Sequence, residues 1–335
     1  MSPTVNVCVV GAAGGIGQSL CLLLKTYGDI GRLSLVDISS CPTPIGGVAA
    51  DISHINTSAA VKSYTTPDRL SEALLDAHIV VISAGCVSLK PGMNRDSLFD
   101  SSAGIISSLA EACASQCPSA LVAIITNPVN SMVPIFVEKL RKRGILDASK
   151  RVFGVTTLDV VRASTFVAHE CGLEPKITHV PVVGGHGGES ILALVSQTQP
   201  AISLTADIQE ALEKRINNAA FDVIAAKNGA GSATLSMAYA AWRFCETLIN
   251  AITGDQKSLV YDYAYVSTES IAPVAGLGSD DRYFAGRCAL NASGLVAMDP
   301  IPVASLTDYE RRRLHEAKAK CKADVLKAFE YLRNH

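Results

Sequence analysis

One histidine stands inside a run of glycines and is the side chain best suited to proton transfer. The run reads Gly184-Gly185-His186-Gly187-Gly188, which is too rich in glycine for a regular helix or strand. Glycines allow another molecule to approach the imidazole closely. The pKa of histidine suits a group that takes a proton from an alcohol and returns it to a carbonyl. His186 is therefore the predicted general acid and base.

A catalytic histidine needs an orienting carboxylate, and the segment Thr157-Leu158-Asp159-Val160-Val161-Arg162 offers one. Asp159 and Arg162 are three residues apart, so a helix would place both on one face. Asp159 can then hold the histidine while Arg162 binds a substrate carboxylate through two parallel hydrogen bonds. In isolation such a pair is more often a solvated ion pair. Together with His186, it predicts acid–base chemistry on a carboxylic acid.

A glycine-rich turn near the N-terminus predicts a dinucleotide site. It reads Gly11-Ala12-Ala13-Gly14-Gly15-Ile16-Gly17 and lies between an apolar strand and a helical pattern. Its spacing allows a tight turn and close approach of a pyrophosphate, which the helix N-terminus would stabilise. The spacing alone is weak, but Asp37 ends the next apolar segment at the distance expected for a carboxylate that binds ribose hydroxyls. Because that carboxylate would repel a 2′-phosphate, NAD is predicted rather than NADP.

The elements that must position these residues alternate along the first half of the chain, which indicates a parallel α/β architecture. Several predicted strands are apolar at nearly every position, as expected where both faces of a sheet are covered. The second half predicts shorter strands and longer helices, with a change of domain near residue 155. The predicted strands are Val5–Val10, Leu33–Asp37, Ile79–Ala84, Leu121–Thr126, Thr178–Val183 and Ile191–Val195. The predicted helices are Gln18–Lys25, Val155–Cys171, Ala206–Ala226, Ala233–Ile252 and Asp308–Tyr331.

Composition excludes several classes of function. The chain has 335 residues, 18% of them charged, with a net charge of −2, so nucleic acid is not an expected partner. No apolar run is long enough to cross a membrane, and neither end of the sequence carries a recognisable targeting signal, so a cytoplasmic enzyme is expected. The ten cysteines lack paired metal-ligand spacing, and no metal is expected. Cys86 lies in a predicted mobile loop and is the one candidate for a reactive thiol, although an unreactive loop cysteine is favoured.

Taken together and in order, these motifs resemble the lactate/malate dehydrogenase family, and its malate dehydrogenase branch in particular. The resemblance covers nearly the whole chain. The motifs that carry it are Gly11–Gly17, Lys90–Arg95, Thr126-Asn127-Pro128-Val129-Asn130, Asp159 with Arg162, Gly184–Gly188 and Gly229–Met237. It implies a Rossmann parallel-sheet NAD domain over residues 1–155, a mixed α/β catalytic domain over 156–335, and a homodimer. The implied reaction is hydride transfer between NAD and a small 2-oxo or 2-hydroxy acid.

The resemblance also assigns further site residues. Arg95, on a closing loop, would polarise the 2-oxo group, and Asn127 would contact the substrate beside the nicotinamide. Met237 and the backbone of Ile125, Thr126 and Asn127 would line the nicotinamide pocket. Ser102 stands where the family often has an asparagine that contacts the cofactor, and it is kept as a cofactor-binding prediction.

Leu89 is the main departure from the family pattern. The malate enzymes usually carry an arginine at this position, before Lys-Pro-Gly-Met, and that arginine pairs with malate's second carboxylate; here Lys90-Pro91-Gly92-Met93 follows Leu89. Loss of a charged partner from a buried carboxylate costs about 2–5 kcal/mol, whereas leucine favours apolar groups. The sequence therefore predicts an L-2-hydroxy acid dehydrogenase for 2-oxo acids with apolar or aromatic side chains, similar to the aromatic enzymes derived from malate dehydrogenase.

Three alternatives to the aromatic substrate stay open at this point. Lys90 could replace the missing arginine, which would retain malate as the substrate, although an ammonium lacks the planar two-point geometry of guanidinium. A lactate-like enzyme for small substrates is the second. A non-enzymatic NAD-binding protein is the third, and it is disfavoured because His186, Asp159 and Arg162 are all present.

Overall fold

The chain forms a mixed sheet of eleven strands with helices on both faces, within the residues that the structure describes. A computed structural model describes residues 4–85, 95–255 and 258–335, with the backbone alone for residues 95–98. The strands are β1 (Val5–Val10), β2 (Ile30–Ile38), β3 (Ala60–Thr66), β4 (Ile79–Ile82), β5 (Leu121–Ile124), β6 (Val152–Val155), β7 (Val182–Gly184), β8 (Ile191–Ala193), β9 (Val260–Ser267), β10 (Tyr283–Asn291) and β11 (Gly294–Met298). The helices are α1 (Gly15–Lys25), α2 (Ile45–Ser53), α3 (Leu70–Leu74), α4 (Arg95–Gln116), α5 (Val129–Lys142), α6 (Ala148–Arg151), α7 (Thr157–Cys171), α8 (Ala206–Ala226), α9 (Leu235–Thr253) and α10 (Asp308–Asn334).

The first six strands are parallel and lie in the order β3-β2-β1-β4-β5-β6. This is the order of the Rossmann fold. It reverses direction between β1 and β4, where Val7 is paired with both Leu33 of β2 and Ile79 of β4. In such sheets, ligands bind in the crevice beyond the carboxyl ends of the strands at this reversal. The fold therefore places the glycine turn that follows β1 at the edge of a ligand crevice.

Both faces of the parallel sheet are covered, which explains why the central strands β4 and β5 are apolar at every position. Val9 of β1 packs in one cluster with Leu20 of α1 and Phe244 of α9. The next residue, Val10, points to the opposite face and packs in a second cluster with Phe136 of α5. Because successive strand residues point to opposite faces, the buried positions of β1 are apolar on both faces of the sheet, and Asn6 is its single partly exposed polar residue.

The C-terminal half extends the same sheet with antiparallel strands. β9 pairs with β6, β10 with β9, and the β7–β8 hairpin and β11 both join β10. A third apolar cluster lies under α7 and α8 and includes Val167, Val182 and Ile216. The α/β fold class predicted from the sequence is confirmed.

Several predicted elements end earlier or begin later than expected. β4 ends at Ile82 rather than Ala84, because the N–H groups of Ser83 and Ala84 both turn to the carbonyl of Val10. β5 likewise ends at Ile124 rather than Thr126. The predicted helix at Val155 begins at Thr157, since Val155 belongs to β6.

Three further observations concern cysteines, metals and membranes. The nine cysteines in the described part of the chain form no disulfide, and Cys86 lies outside it. No three metal-ligating side chains come together among the described residues. Within the same residues, none of the helices has the length and apolar character needed to span a bilayer.

Candidate active site

The glycine turn leaves the N-terminus of α1 open. Gly14 is the residue before α1, and no side chain caps the helix there. Gly14 and Gly15 are both exposed, so helix N–H groups are available to an anion. The turn itself requires glycine: Gly11 has φ +89°, and a Cβ at Gly17 would lie 2.1 Å from the carbonyl oxygen of Gly11. This turn provides the cradle that a pyrophosphate needs.

Asp37, near the end of β2, is bonded directly to the glycine turn. Its Oδ2 accepts the N–H of Ala13 at 2.8 Å, and its Oδ1 accepts the N–H of Ile38 at 2.8 Å. Each carboxylate oxygen can accept more than one hydrogen bond, so a ribose hydroxyl can still be bound. The carboxylate therefore organises the turn and also suits the predicted ribose contact. These two features fit a dinucleotide.

The loops after β4 and β5, together with α4, bring three predicted cofactor residues to the crevice. The Thr126 hydroxyl donates to the carbonyl of Ala84 at 2.6 Å and is buried. A Cβ at Gly85 would lie 2.7 Å from Thr126 Cγ2 and 3.6 Å from Ser102 Oγ, so Ser102 lies beside the same loop. Asn127 follows and is exposed. Asn127 is thus accessible at the position where a substrate contact is predicted.

His186 and Asp159 meet as predicted. Nδ1 of His186 lies 2.7 Å from Oδ2 of Asp159, which is almost fully buried near the start of α7. Burial lowers the pKa of His186, and the positive charge of Arg162 lowers it further. The negative charge of Asp159 and its hydrogen bond raise this pKa, and their effect is the larger one. The pKa of His186 is therefore raised above its ordinary value. Because Nδ1 is engaged, Nε2 is the ring nitrogen left to exchange a proton with another molecule.

Arg162 lies one turn further along α7 and has a guanidinium nitrogen without a protein partner. Its Nη2 is buried and makes no hydrogen bond. Burial lowers the pKa of Arg162, against the charges of Asp159 and Asp222. Guanidinium nevertheless stays charged in proteins. A buried, charged donor without a partner suits a carboxylate ligand, as predicted.

Asn130 is a residue of this site to which the sequence assigned no role. It lies in α5 three residues after Asn127, and its side-chain oxygen accepts the N–H of His186 at 2.8 Å. Its motif was recognised, but nothing in the sequence shows that two segments 56 residues apart meet here. Asp222 near Arg162 was missed for the same reason.

The remaining predicted residues divide into three cases. Met237 is buried at the start of α9 and packs in the same cluster as Ile125. Arg95 begins α4, and only its backbone is described. Leu89 and Lys90 lie outside the described residues.

Two family models match the chain end to end. The model described as lactate/malate dehydrogenase, NAD binding domain, matches residues 5–154, and the one described as lactate/malate dehydrogenase, alpha/beta C-terminal domain, matches residues 156–332. The predicted NAD dependence is confirmed at the level of the family.

Curated relatives match over almost the whole chain. The chain is 45% identical over 325 residues to a chloroplastic malate dehydrogenase of Arabidopsis thaliana, covering 97% of this chain and 77% of that protein. It is 44% identical over 329 residues to a mitochondrial malate dehydrogenase of Felis catus, covering 98% and 92%.

Solved structures share the fold at lower identity. A malate dehydrogenase of Picrophilus torridus in its apo form matches with a TM-score of 0.80 at 21% identity, covering 98% of this chain and 99% of that one. A lactate dehydrogenase of Eimeria maxima with NADH and oxamate matches with a TM-score of 0.80 at 19% identity, covering 100% and 96%. At these identities the likeness supports the fold alone.

Proposed function

The chain belongs to the lactate/malate dehydrogenase family, and we propose that it interconverts oxaloacetate and malate. It is an NAD-dependent oxidoreductase that acts on CH–OH groups, as its relatives are. The observation that carries the proposal is the buried Asp159–His186 pair beside the unpartnered guanidinium of Arg162, in a chain that is 45% identical to a malate dehydrogenase. The names of the relatives favour malate over the aromatic acids that Leu89 predicted.

Each site residue has a distinct part in the proposed reaction. NADH, held by the glycine turn and Asp37, supplies the hydride when bound. Arg162 binds the substrate's C1 carboxylate through its free guanidinium nitrogen. His186, protonated at Nε2, donates a proton to the 2-oxo oxygen, and in the reverse direction its neutral form removes the proton from the hydroxyl.

Asp159 stabilises the charged imidazole in the proposed mechanism and fixes its orientation through Nδ1. Asn127 contacts the substrate, and Arg95 polarises the 2-oxo group. Ser102, Ile125, Thr126 and Met237 complete the proposed cofactor pocket. These assignments rest on the position of each residue around the crevice and on the family pattern.

Malate's second carboxylate requires a cation other than the missing arginine, and Lys90 is the candidate. It follows Leu89 directly in the sequence. An ammonium can neutralise a carboxylate, although it cannot form the two parallel hydrogen bonds of guanidinium. We therefore expect oxaloacetate to be bound less tightly than in enzymes with arginine at this position.

Leu89 supports a second candidate function, the reduction of 2-oxo acids with apolar or aromatic side chains. Burial of an aromatic ring contributes about 25 cal/mol per Å², or a few kcal/mol in total. An unpaired distal carboxylate would at the same time cost about 2–5 kcal/mol. The two effects together would reverse the preference if Lys90 makes no contact with the substrate.

The deciding experiment compares kcat/KM for NADH oxidation with oxaloacetate, pyruvate, phenylpyruvate and hydroxyphenylpyruvate, in the wild type and in the Leu89→Arg and Lys90→Met variants. If the enzyme is a malate dehydrogenase, kcat/KM should be highest with oxaloacetate. Lys90→Met should then lower kcat/KM for oxaloacetate by roughly tenfold or more and leave that for phenylpyruvate unchanged. A wild-type preference for phenylpyruvate, converted to oxaloacetate by Leu89→Arg, would establish the second candidate. Absence of turnover despite NADH binding would contradict both.

The oligomeric state, the cellular location and the division into domains are three further proposals. The homodimer is implied by the family resemblance. The cytoplasmic location also remains a prediction, since the relatives named above are chloroplastic and mitochondrial proteins. The division into domains at residues 1–155 and 156–335 follows from the change of sequence pattern.

A further inference from the structure

The side chain of Asn130 is buried at the point where α5 meets the histidine loop, defined as residues 184–190. Only 1% of Asn130 is exposed. Its Oδ1 accepts the N–H of His186 at 2.8 Å. Its Nδ2 donates to Oδ2 of Asp324 in α10 at 2.9 Å and to Oγ of Ser190 at 3.2 Å. One amide thus joins the backbone of the catalytic histidine to α10 and also contacts the far end of the histidine loop at Ser190.

The partners of Asn130 fix the direction in which its amide points. A backbone N–H can only donate, so Oδ1 must face His186. The Asp324 carboxylate accepts, so Nδ2 must face α10. Asp324 is itself held, since it is paired with Lys320 and its carbonyl accepts the hydroxyl of Ser131 at 2.8 Å. The reversed orientation would place an amide NH₂ against an N–H and an oxygen against a carboxylate.

Packing reinforces these hydrogen bonds. A Cβ at Gly185 would lie 2.7 Å from Nδ2 and 2.8 Å from Oδ1 of Asn130, and 2.8 Å from Sγ of Cys321. The backbone that carries His186 therefore lies directly against the amide. Any larger residue at position 185, or any shift of the amide, would displace the histidine loop.

We propose that Asn130 is a positioning residue that holds the His186 backbone at a fixed distance from the carboxyl end of β5, where the cofactor crevice lies. Asn127 and Asn130 belong to one short segment, so the predicted substrate contact and the support of His186 move together. The inference rests on the proposed role of His186. It extends that role because Asn130 acts through the backbone rather than by contact with the substrate.

The first test compares Asn130→Ala with Ser131→Ala. Ser131 is the matched control, because it is equally buried and bonds to the same residue of α10, but its hydroxyl bonds to the Asp324 carbonyl rather than to the histidine loop. Misplacement of a reacting group costs up to about 100-fold in rate, so kcat of Asn130→Ala should fall roughly 10- to 100-fold with an unchanged KM for NADH. Ser131→Ala should stay within about twofold of the wild type.

A second readout does not depend on turnover. The His186 imidazole is titrated by NMR and identified by the signal that His186→Gln removes. The groups that face it are Asp159 and Arg162 of α7. If Asn130 holds His186 against Asp159, its loss weakens that pair, and the pKa of His186 should fall in Asn130→Ala but not in Ser131→Ala. A fall in kcat without a fall in this pKa would overturn the proposal.

A reciprocal exchange separates positioning from a folding defect. Asn130→Asp alone would set a carboxylate against Asp324 and should lower kcat. Adding Asp324→Asn reverses the donor and the acceptor, so the bond can form again while position 130 still accepts the His186 N–H. We expect the double variant to recover at least about half of the decrease in log kcat that Asn130→Asp causes. A double variant no better than Asn130→Asp would also overturn the proposal, whereas an active His186→Gln enzyme would instead refute the proposed function.

Discussion

At the scale of single residues, burial and the neighbouring Asp159 have opposite effects on the pKa of the His186 imidazole. Burial favours the neutral form of His186, and the adjacent Asp159 favours the charged form and prevails, so the pKa of His186 is raised. A raised pKa extends to higher pH the range in which His186 carries a proton, which suits the proposed reduction of a 2-oxo acid. In the proposed mechanism, the same pair therefore determines the pH range in which a proton can be donated to the substrate.

Asp159→Asn should lower the pKa of His186, because it removes the charge that outweighs burial. Reduction needs the protonated imidazole, so its rate falls as pH rises through that pKa. A lower pKa therefore moves the loss of activity to lower pH. At neutral pH we expect kcat to fall roughly 10²- to 10⁴-fold, as is usual for loss of general acid catalysis. The measurement is the pH profile of kcat for NADH oxidation.

Asp222→Asn provides the comparison for this prediction. Its carboxylate acts on Arg162 of the same site but is not bonded to His186. It should alter KM for the 2-oxo acid and leave the alkaline limb of the profile in place. If the alkaline limb of the kcat profile stays in place in Asp159→Asn, the limb reports the titration of a group other than His186.

The site residues predicted from the sequence are those whose patterns are local. A histidine among four glycines and an aspartate three residues before an arginine are visible in the sequence alone, and the structure brings His186 and Asp159 within 2.7 Å. Asn130 was named in a motif but had no assigned role, because that role depends on His186 and on Asp324, 194 residues away. Contacts across such distances are products of the fold.

At the scale of elements, the junction of β1 and α1 depends on glycine at a helical position. A Cβ at Gly17 would lie 2.1 Å from the Gly11 oxygen and 2.6 Å from Ala12 Cα. Both are backbone atoms, so rotation of a side chain cannot relieve the clash. Helix α1 can pack this closely against the turn that follows β1 only because Gly17 has no side chain.

Gly17→Ala should therefore displace the glycine turn. Overpacking costs about 1–3 kcal/mol of the free energy of unfolding. NADH binding should weaken by roughly tenfold or more, because a loss of 1.4 kcal/mol corresponds to a factor of ten. Thermal unfolding and a fluorescence titration with NADH measure the two effects.

Gly46→Ala is the matched control, since Gly46 is also helical, in α2, and a Cβ there meets nothing within 4 Å. Replacement of an exposed helical glycine should raise the free energy of unfolding by about 0.5–1 kcal/mol and leave NADH affinity unchanged. Equal effects of the two substitutions would contradict a specific requirement at Gly17.

The elements that the sequence predicted are those with a strong local pattern. β1 and α8 have the predicted bounds, Val5–Val10 and Ala206–Ala226. β3 was missed because it lies at the edge of the sheet and most of its residues are partly exposed, which leaves no apolar run. β9 was missed although it is largely buried, because Asp262 interrupts its apolar pattern; the N–H of Tyr263 and the hydroxyl of Thr247 bond to that carboxylate.

At the scale of the whole molecule, the two halves of the sequence share one core. β6 of the first half pairs with β9 of the second through Gly154 with Tyr265 and Val155 with Ala264. The cluster on one face of the parallel sheet contains Leu20 of α1 together with Phe244 of α9. Neither half can unfold without exposing apolar surface of the other. We therefore expect the chain to unfold as one cooperative unit.

Calorimetry with two cofactors tests this unit and the role of Asp37 together. NADH at 100 times its Kd stabilises the folded state by about 2.7 kcal/mol, which for 335 residues raises Tm by roughly 4 °C. The whole single transition should move, although NADH is bound mainly by the first half.

NADPH at the same concentration should raise Tm by less than about 1 °C, because the Asp37 carboxylate repels its 2′-phosphate. Asp37→Asn keeps an acceptor for the Ala13 N–H but removes the charge, so it should increase the NADPH shift. Two transitions, of which NADH moves only one, would contradict the shared core, and equal shifts with both cofactors would contradict the selectivity assigned to Asp37.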